Sequence, residues 1–175
     1  MAVETRQPPP HSNFSGLPAA CSTLCGLPVS DLHAAGKPLK FECGGGCLVS
    51  TATDYLRFAQ MLANGGSLDG KRLLARKTLE MMTSDQLGPE VRGRTTSSVL
   101  NEGYSFGLGF AVRSQPGIAA YAGSAGDYTW GGAFGTYFWV DPKEQLTAVL
   151  MAAAPGEIRA QNAPLLRNLV MQAIE

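Results

Sequence analysis

The stretch from Asp127 to Ala152 limits the fold of this chain more than any other part of it. It opens with small and polar residues and becomes the β-prone run Gly135-Thr136-Tyr137-Phe138-Trp139-Val140. It stops at Asp141-Pro142 and restarts as Leu146-Thr147-Ala148-Val149-Leu150-Met151-Ala152. Aromatic and β-branched runs bounded by glycine and proline read as strands. Proline after Asp141 presets φ for a type I turn over Asp141-Pro142-Lys143-Glu144. The stretch therefore predicts a β-hairpin that begins at Trp130-Gly131-Gly132. Adjacent glycines at the start of a strand weaken it and pack against nothing, so they imply that something approaches the backbone closely there.

Around this hairpin the pattern is helical. From Thr51 to Asn64, Tyr55, Phe58, Ala59 and Leu62 fall at i, i+3, i+4 and i+7, one apolar face. Ser50 or Thr51 caps this helix, Asp54 sits in its first turn, and Gly65-Gly66 stops it. Ser67 to Lys71 is a turn. A second helix runs from about Ala75 to Thr83 with Leu79 and Met82 inward. Residues 84–102 read as a polar loop whose Arg92 and Arg94 could meet an anionic substrate, with a solvated loop the expectation. Tyr104 to Arg113 reads as one strand. A last helix, about Pro164 to Ile174, has Asn162 near its cap, Pro164 in its first turn, and Leu166, Leu169, Val170 and Ala173 on its buried face. The order helix, helix, strand, strand, strand, helix predicts an α+β fold, an antiparallel sheet flanked by helices. Residues 1–35 stand apart. They are rich in proline, serine and glycine, with polyproline II expected at Pro8-Pro9-Pro10. They read as an irregular or disordered segment ahead of a domain over residues 36–175.

Charge narrows the function. Lys plus Arg and Asp plus Glu both number 14, so nothing favours nucleic acid or an acidic membrane surface as partner. No run approaches the roughly 18 apolar residues that suggest a membrane span, and the N-terminus lacks the apolar core of a signal peptide. A cytoplasmic location is the default expectation. The pairs Cys21/Cys25 and Cys43/Cys47 could form a four-thiolate zinc site. Their x3 spacing is less usual than x2, so ordinary thiols, with no metal and no cofactor, are expected.

Trp130-Gly131-Gly132, then a strand, Asp-Pro and a second apolar strand, resembles the third active-site box of the serine β-lactamase and penicillin-binding-protein-like hydrolases. The similarity is greatest to class C β-lactamases and their esterase relatives. It extends upstream through Gly44-Gly45-Gly46-Cys47-Leu48-Val49-Ser50-Thr51-Ala52-Thr53-Asp54-Tyr55-Leu56. It covers residues 36–175, about four-fifths of the chain. It implies the C-terminal part of a β-lactamase/transpeptidase-like fold. It also implies that the strand from Trp130 lines the substrate cleft and that Gly131 and Gly132 contribute to it. Ala133 would offer its backbone N–H to the oxyanion. Where lactamases hold a cation for the substrate carboxylate, this chain has Trp130, which implies a neutral ester or amide substrate.

The rest of that chemistry is missing from these residues. The family's first box is Ser-x-x-Lys, one helical turn that lets the amine activate the hydroxyl. None of the twelve serines has lysine three residues on. The second box is Tyr-x-Asn or Tyr-x-Ser. Tyr55, Tyr104, Tyr121, Tyr128 and Tyr137 are followed at that spacing by Arg57, Phe106, Gly123, Trp130 and Trp139. Gly103-Tyr104-Ser105-Phe106-Gly107 matches Gly-x-Ser-x-Gly, but the motif carries a nucleophile only on a strand-to-helix turn, and here a strand follows. The histidines are His11 and His33 alone. The expectation is a C-terminal fragment of a serine hydrolase of esters or amides, inactive alone and completed by an N-terminal half. The alternatives are a non-catalytic binding or scaffolding remnant and a small zinc-stabilised module. Leu146 to Ala152 is uncharged and apolar on both faces. Left as a sheet edge, it would favour self-association.

Overall fold

The computed structural model describes residues 23–24, 27–28, 50–92, 100–153 and 157–174. The chain divides into two units, Met1–Val49 and Ser50–Glu175. In the first, β1 (Thr23–Leu24) pairs antiparallel with β2 (Leu27–Pro28). The four cysteines, both histidines, Pro8–Pro10 and the glycines of Gly44-Gly45-Gly46 lie outside the described residues.

The second unit opens with α1 (Ala52–Ala63). Thr51 caps it, its hydroxyl accepting from the Asp54 N–H at 3.1 Å. The helix ends in a Schellman motif, Gly66 N–H to Met61 C=O and Gly65 N–H to Leu62 C=O. Ala59, Met61 and Leu62 are buried, while Phe58 stays 40 % exposed. The predicted turn at Ser67 to Lys71 is a hairpin of β3 (Ser67–Leu68) and β4 (Lys71–Arg72). Then comes α2 (Arg76–Met82), with Leu79 buried and Met82 partly so. The segment predicted as loop contains a short helix, α3 (Gly88–Arg92). Asp85 starts it by accepting from the Leu87 and Gly88 N–H groups, a local cap that outweighs the polar composition. Arg94 lies outside the described residues.

Five strands follow in spatial order β5-β6-β7-β8-β9, all antiparallel. They are β5 (Tyr104–Phe106), β6 (Ala111–Arg113), β7 (Tyr128–Gly131), β8 (Tyr137–Asp141) and β9 (Leu146–Leu150). The single strand expected over Tyr104 to Arg113 is thus a hairpin. Its turn holds Gly107 and Gly109, and the Gly107 N–H bonds to the Phe110 C=O. The predicted Asp-Pro turn is present. Asp141 is fully buried, and one carboxylate oxygen accepts from the Lys143 and Glu144 N–H groups. Among the described residues, β9 ends the sheet.

One sheet face carries Val112, Tyr128, Phe138 and Val140, which pack with α1 and Leu79 into the main core. Tyr55 meets Phe138 edge-on at 5.2 Å between centroids. Burying a side chain such as Leu62 or Phe138 contributes about 1.5–3 kcal/mol. On the other face Tyr137 and Trp139 meet a helix that differs from expectation. It is α4 (Glu157–Met171), and Pro164 lies inside it. Proline's missing N–H is tolerated there because packing on the sheet, and not a cap near Asn162, holds the helix. Its buried face is the predicted one only in part. Leu166 and Val170 are half-buried, but Leu169 is 57 % exposed and Ala173 is exposed, whereas Arg167 is fully buried.

Arg167 belongs to a buried ionic cluster. One oxygen of Asp127 accepts from Arg113 Nε at 2.7 Å and from an Arg167 amine at 2.5 Å. Tyr104 donates to the other at 2.9 Å. Arg113 also donates to the Tyr121 and Ala122 carbonyls, and Arg167 donates to the Tyr137 hydroxyl at 3.2 Å. The guanidinium carbons lie over rings: Arg113 at 5.0 Å from Tyr104, Arg167 at 4.9 Å from Tyr121 and 5.1 Å from Trp139. Gly123 makes room for the cluster. A Cβ there would lie 2.3 Å from an Asp127 oxygen and 2.4 Å from Arg167.

Removing one member of a buried ion cluster leaves uncompensated charge, which costs about 3–5 kcal/mol. Asp127→Asn is therefore expected to lose about that much unfolding free energy in urea, and Gly123→Ala to be destabilised as well. A loss below about 1 kcal/mol for Asp127→Asn would show that the cluster does not hold the sheet to α4.

Burial pushes the Tyr137 hydroxyl up to about 12, against an opposing pull from Arg167. Burial also raises Tyr104 and Tyr128 well above the ordinary value of 10.0. The folded state therefore holds these protons more tightly than the unfolded chain. The resulting stability is complete below pH 10.0, the unfolded value; the Tyr137 share is lost as pH rises through about 12, and the shares of Tyr104 and Tyr128 persist to higher pH. A spectroscopic titration should show phenolate absorbance from these tyrosines appearing together with loss of the circular dichroism of the fold. Their ionisation near pH 10.0 in folded protein would contradict the burial described.

Candidate functional site

The candidate site begins where two pairings of β7 end at different places. β8 pairs with β7 as far as Gly131, whereas β6 pairs only with Tyr128 and Thr129. Past Thr129, one side of β7 has no strand beside it among the described residues. The Gly132 N–H closes on the Thr136 C=O at 2.7 Å, toward β8. Strand alternation therefore turns the N–H and C=O of Gly131 the other way, to the open side.

The two glycines end β7 rather than begin a strand, and the reasons for them differ. A Cβ on Gly132 would lie 2.1 Å from the Thr136 hydroxyl, so the close approach it serves is to its own hairpin turn. On Gly131 the nearest atom would be 3.7 Å away, ordinary contact, and its backbone is exposed. Ala133 stands exposed within the turn.

Beside this open edge lies a cleft of about 220 Å³. Trp130, Gly131 and Thr136 form one wall. Ala160, Ala163 and Pro164 of α4 form the facing wall, and Tyr104, Tyr121 and Tyr137 lie between. Trp130 is partly buried, its ring edge-on to Phe106 at 5.2 Å. The structure thus brings Trp130 and Gly131 to the cleft, while Gly132 and Ala133 belong to the turn beyond it. Among the described residues no charged side chain lines the space. The charges nearest in the fold are those of Arg113, Asp127 and Arg167, held beneath the tyrosines by the bonds already described.

In the sequence, Tyr104, Tyr121 and Tyr137 figure only as second-box tyrosines and Pro164 only as a helix start, and Ala160 and Ala163 are not singled out. Tyr137 and Trp139 do carry the period-two signal of one sheet face. The small residues at 160, 163 and 164 have helical spacing for one face, but a helix beginning at Pro164 hides it.

Ser105 lies elsewhere. It is fully buried, pairs across the hairpin with Val112, and donates to the Asp85 carboxylate. That side chain caps α3, so Ser105 secures the helix start. The strand continues through it, and no sharp turn exposes its oxygen as a nucleophile elbow requires. Among the described residues no group of His, Cys, Asp and Glu could hold a metal ion. Among the described residues no helix is long and apolar enough to cross a membrane.

Comparison with known proteins agrees with this architecture. Protein Rv1367c of Mycobacterium tuberculosis is 35 % identical over 113 residues, 62 % of this chain and 28 % of that protein. The chain therefore spans little more than a quarter of that relative's length. Among solved structures, simvastatin synthase (LovD) from Aspergillus terreus overlays with a TM-score of 0.57 at 17 % identity. The match covers 69 % of this chain and 33 % of LovD. A β-lactamase from Mycobacterium bovis gives 0.53 at 22 % identity, over 71 % of this chain and 44 % of its own. A penicillin-binding protein homolog from Caulobacter crescentus gives 0.52 at 24 %, over 70 % and 32 %. These likenesses establish the fold. The sequence matches the Beta-lactamase family model over residues 3–171, and this chain belongs to that family.

Proposed function

We propose that this chain is the cleft-bearing part of a serine hydrolase that cleaves neutral esters or amides through an acyl-enzyme. The observation that carries this reading is the open edge of β7 at Trp130 and Gly131, which lines a cleft. In such a reaction a serine oxygen bonds to the carbonyl carbon and the alcohol or amine leaves with a proton. Water then releases the acid and restores the serine. A backbone N–H facing the developing oxyanion contributes about 10²–10³ in rate. By resemblance that donor is Ala133, and the outward N–H of Gly131 is a second candidate on the same edge. Trp130 supplies an apolar wall where a carboxylate-binding cation would suit β-lactams. The nucleophile and its base, absent from these 175 residues as a Ser-x-x-Lys pair, come from other sequence.

The chain alone is expected to show no burst with a p-nitrophenyl ester and no covalent labelling by a fluorophosphonate. Co-expressed with the part of the Mycobacterium tuberculosis relative that it does not match, it is expected to gain hydrolysis, with the label on the other segment. Labelling of any serine here, Ser105 included, would overturn the division of labour. A pair that co-purifies and stays inert would favour a binding or scaffolding role instead.

The β9 edge fits self-association of the isolated chain. All five of its residues are half-buried and none is charged, so it lacks the usual protection of a sheet edge. Sedimentation at micromolar concentration should show a dimer or larger species, reduced by Ala148→Lys, which puts charge beside the edge. A dilution-resistant monomer unchanged by the lysine would reject this.

A further inference from the structure

The geometry points to Phe106 as a positioning residue for Trp130: its ring holds the indole at the open edge of β7, although Phe106 is not among the residues that line the cleft. This rests on the hydrolase reading, which sets Trp130 and Gly131 beside the substrate, and adds a residue that acts through them. Trp130 is half-buried and pairs with Phe138 across β7 and β8. On its other side β6 has stopped pairing, its last partner on β7 being Thr129. Among the described residues, the one aromatic ring that meets the indole is Phe106, edge-on at 5.2 Å and 68°. Phe106 comes from β5, two strands away in the sheet. Its ring therefore reaches across the place where β6 leaves β7 uncovered.

A side chain can position another only if it is itself fixed. β5 is three residues long and ends at Phe106, so its pairing with β6 is a weak hold. The segment after α2 supplies the rest. The Ser105 hydroxyl donates to the Asp85 carboxylate, and the Phe106 C=O accepts from the Gln86 N–H at 2.9 Å. The Leu108 N–H donates to the Met82 C=O at 2.8 Å. Glycine at 107 permits this approach, because a Cβ there would lie 2.1 Å from the Met82 oxygen. Phe106 is thus held at its own carbonyl and on both flanks. What it steadies bears on the site. Gly131 has no side chain to anchor it, and its exposed backbone is placed by its neighbours. Gly132 is bonded to the Thr136 C=O, and Trp130 is the anchor on the strand side. Edge-to-face ring contacts depend on ring geometry, so an aliphatic side chain of similar bulk does not replace one.

The test follows the indole N–H signals of Trp130 and Trp139 in the purified chain by NMR, assigned with Trp130→Phe. Trp139 is fully buried and points to the other sheet face, so it serves as the internal control. In the parent chain, nitrogen relaxation is expected to find the Trp130 indole as rigid as that of Trp139, with cross-relaxation to the Phe106 ring. Phe106→Leu is expected to shift the Trp130 signal and raise its mobility while Trp139 stays in place. Phe106→Tyr keeps the ring and is expected to restore the parent signal. In a co-expressed pair that hydrolyses esters, Phe106→Leu is expected to lower kcat/KM at least about tenfold, and Phe106→Tyr to restore it. Should Phe106→Leu not fold, the relaxation and cross-relaxation of the parent chain decide. A mobile Trp130 indole in the parent, an unchanged Trp130 signal in folded Phe106→Leu, or an equal response from Trp139 would overturn the positioning. So would a hydrolysing pair whose kcat/KM is indifferent to Phe106→Leu. An inert pair in which leucine frees Trp130 and tyrosine restores it would sink the hydrolase reading and leave the positioning standing.

Discussion

Asp127 carries one negative charge between two buried arginines, and much of the second unit is arranged around that imbalance. A buried charge is tolerated only when paired and hydrogen-bonded. Here the carboxylate satisfies one cation's worth of charge. The surplus is spread over carbonyl oxygens of Tyr121 and Ala122 and over the rings of Tyr104, Tyr121 and Trp139. Those partners come from β5, β8, the segment ahead of β7, and α4. Bringing them together fixes where α4 crosses the sheet, and so fixes the wall of the cleft. The absent side chain at position 123 is part of the same constraint, since the cluster occupies the space a methyl group would need.

Local signals in the sequence were legible where the cause was local. Thr51, Asp54 and Gly65-Gly66 bracket α1 by hydrogen bonds spanning a few residues, and Asp141-Pro142 shapes its own turn. Trp130 and Gly131 were singled out through a motif, and both are among the residues that line the cleft; a part in binding substrate is a proposal. Other features depend on distant partners. Arg113, Asp127 and Arg167 are 14 and 40 positions apart, and each by type reads as surface. The buried face of α4 was assigned to Leu166, Leu169, Val170 and Ala173 because hydrophobic periodicity was the cue; Leu166 and Val170 are half-buried, but the fully buried residue is Arg167, stacked on Trp139. Pro164 suggested a helix start for the same reason: its local preference is outweighed by contacts made farther along the helix. The hairpin within Tyr104 to Arg113 was lost in a short β-prone run whose glycines form the turn.

The tyrosines of the cleft are tied to the cluster beneath it. Tyr104 gives its proton to Asp127, whereas the Tyr137 hydroxyl accepts from Arg167 and keeps its own O–H as a donor. One network thus holds the fold together and positions the tyrosines that line the cleft. Position 130 adds to this with a large apolar wall that has no charge to offer. Recognition of a leaving group or acyl group then depends on shape and on the backbone at Gly131.

Pro164 gives α4 a further property. Proline has no N–H, so the Ala160 carbonyl one turn earlier lacks its helical donor. Ala160 is exposed, so water can serve that oxygen. The first half of α4, with Ala160 and Ala163, is thereby uncoupled by one hydrogen bond from the second half, which Arg167 fastens to the sheet. The two halves of one helix thus have different tasks: the second carries the arginine of the ionic cluster, and the first carries the small residues of the cleft wall.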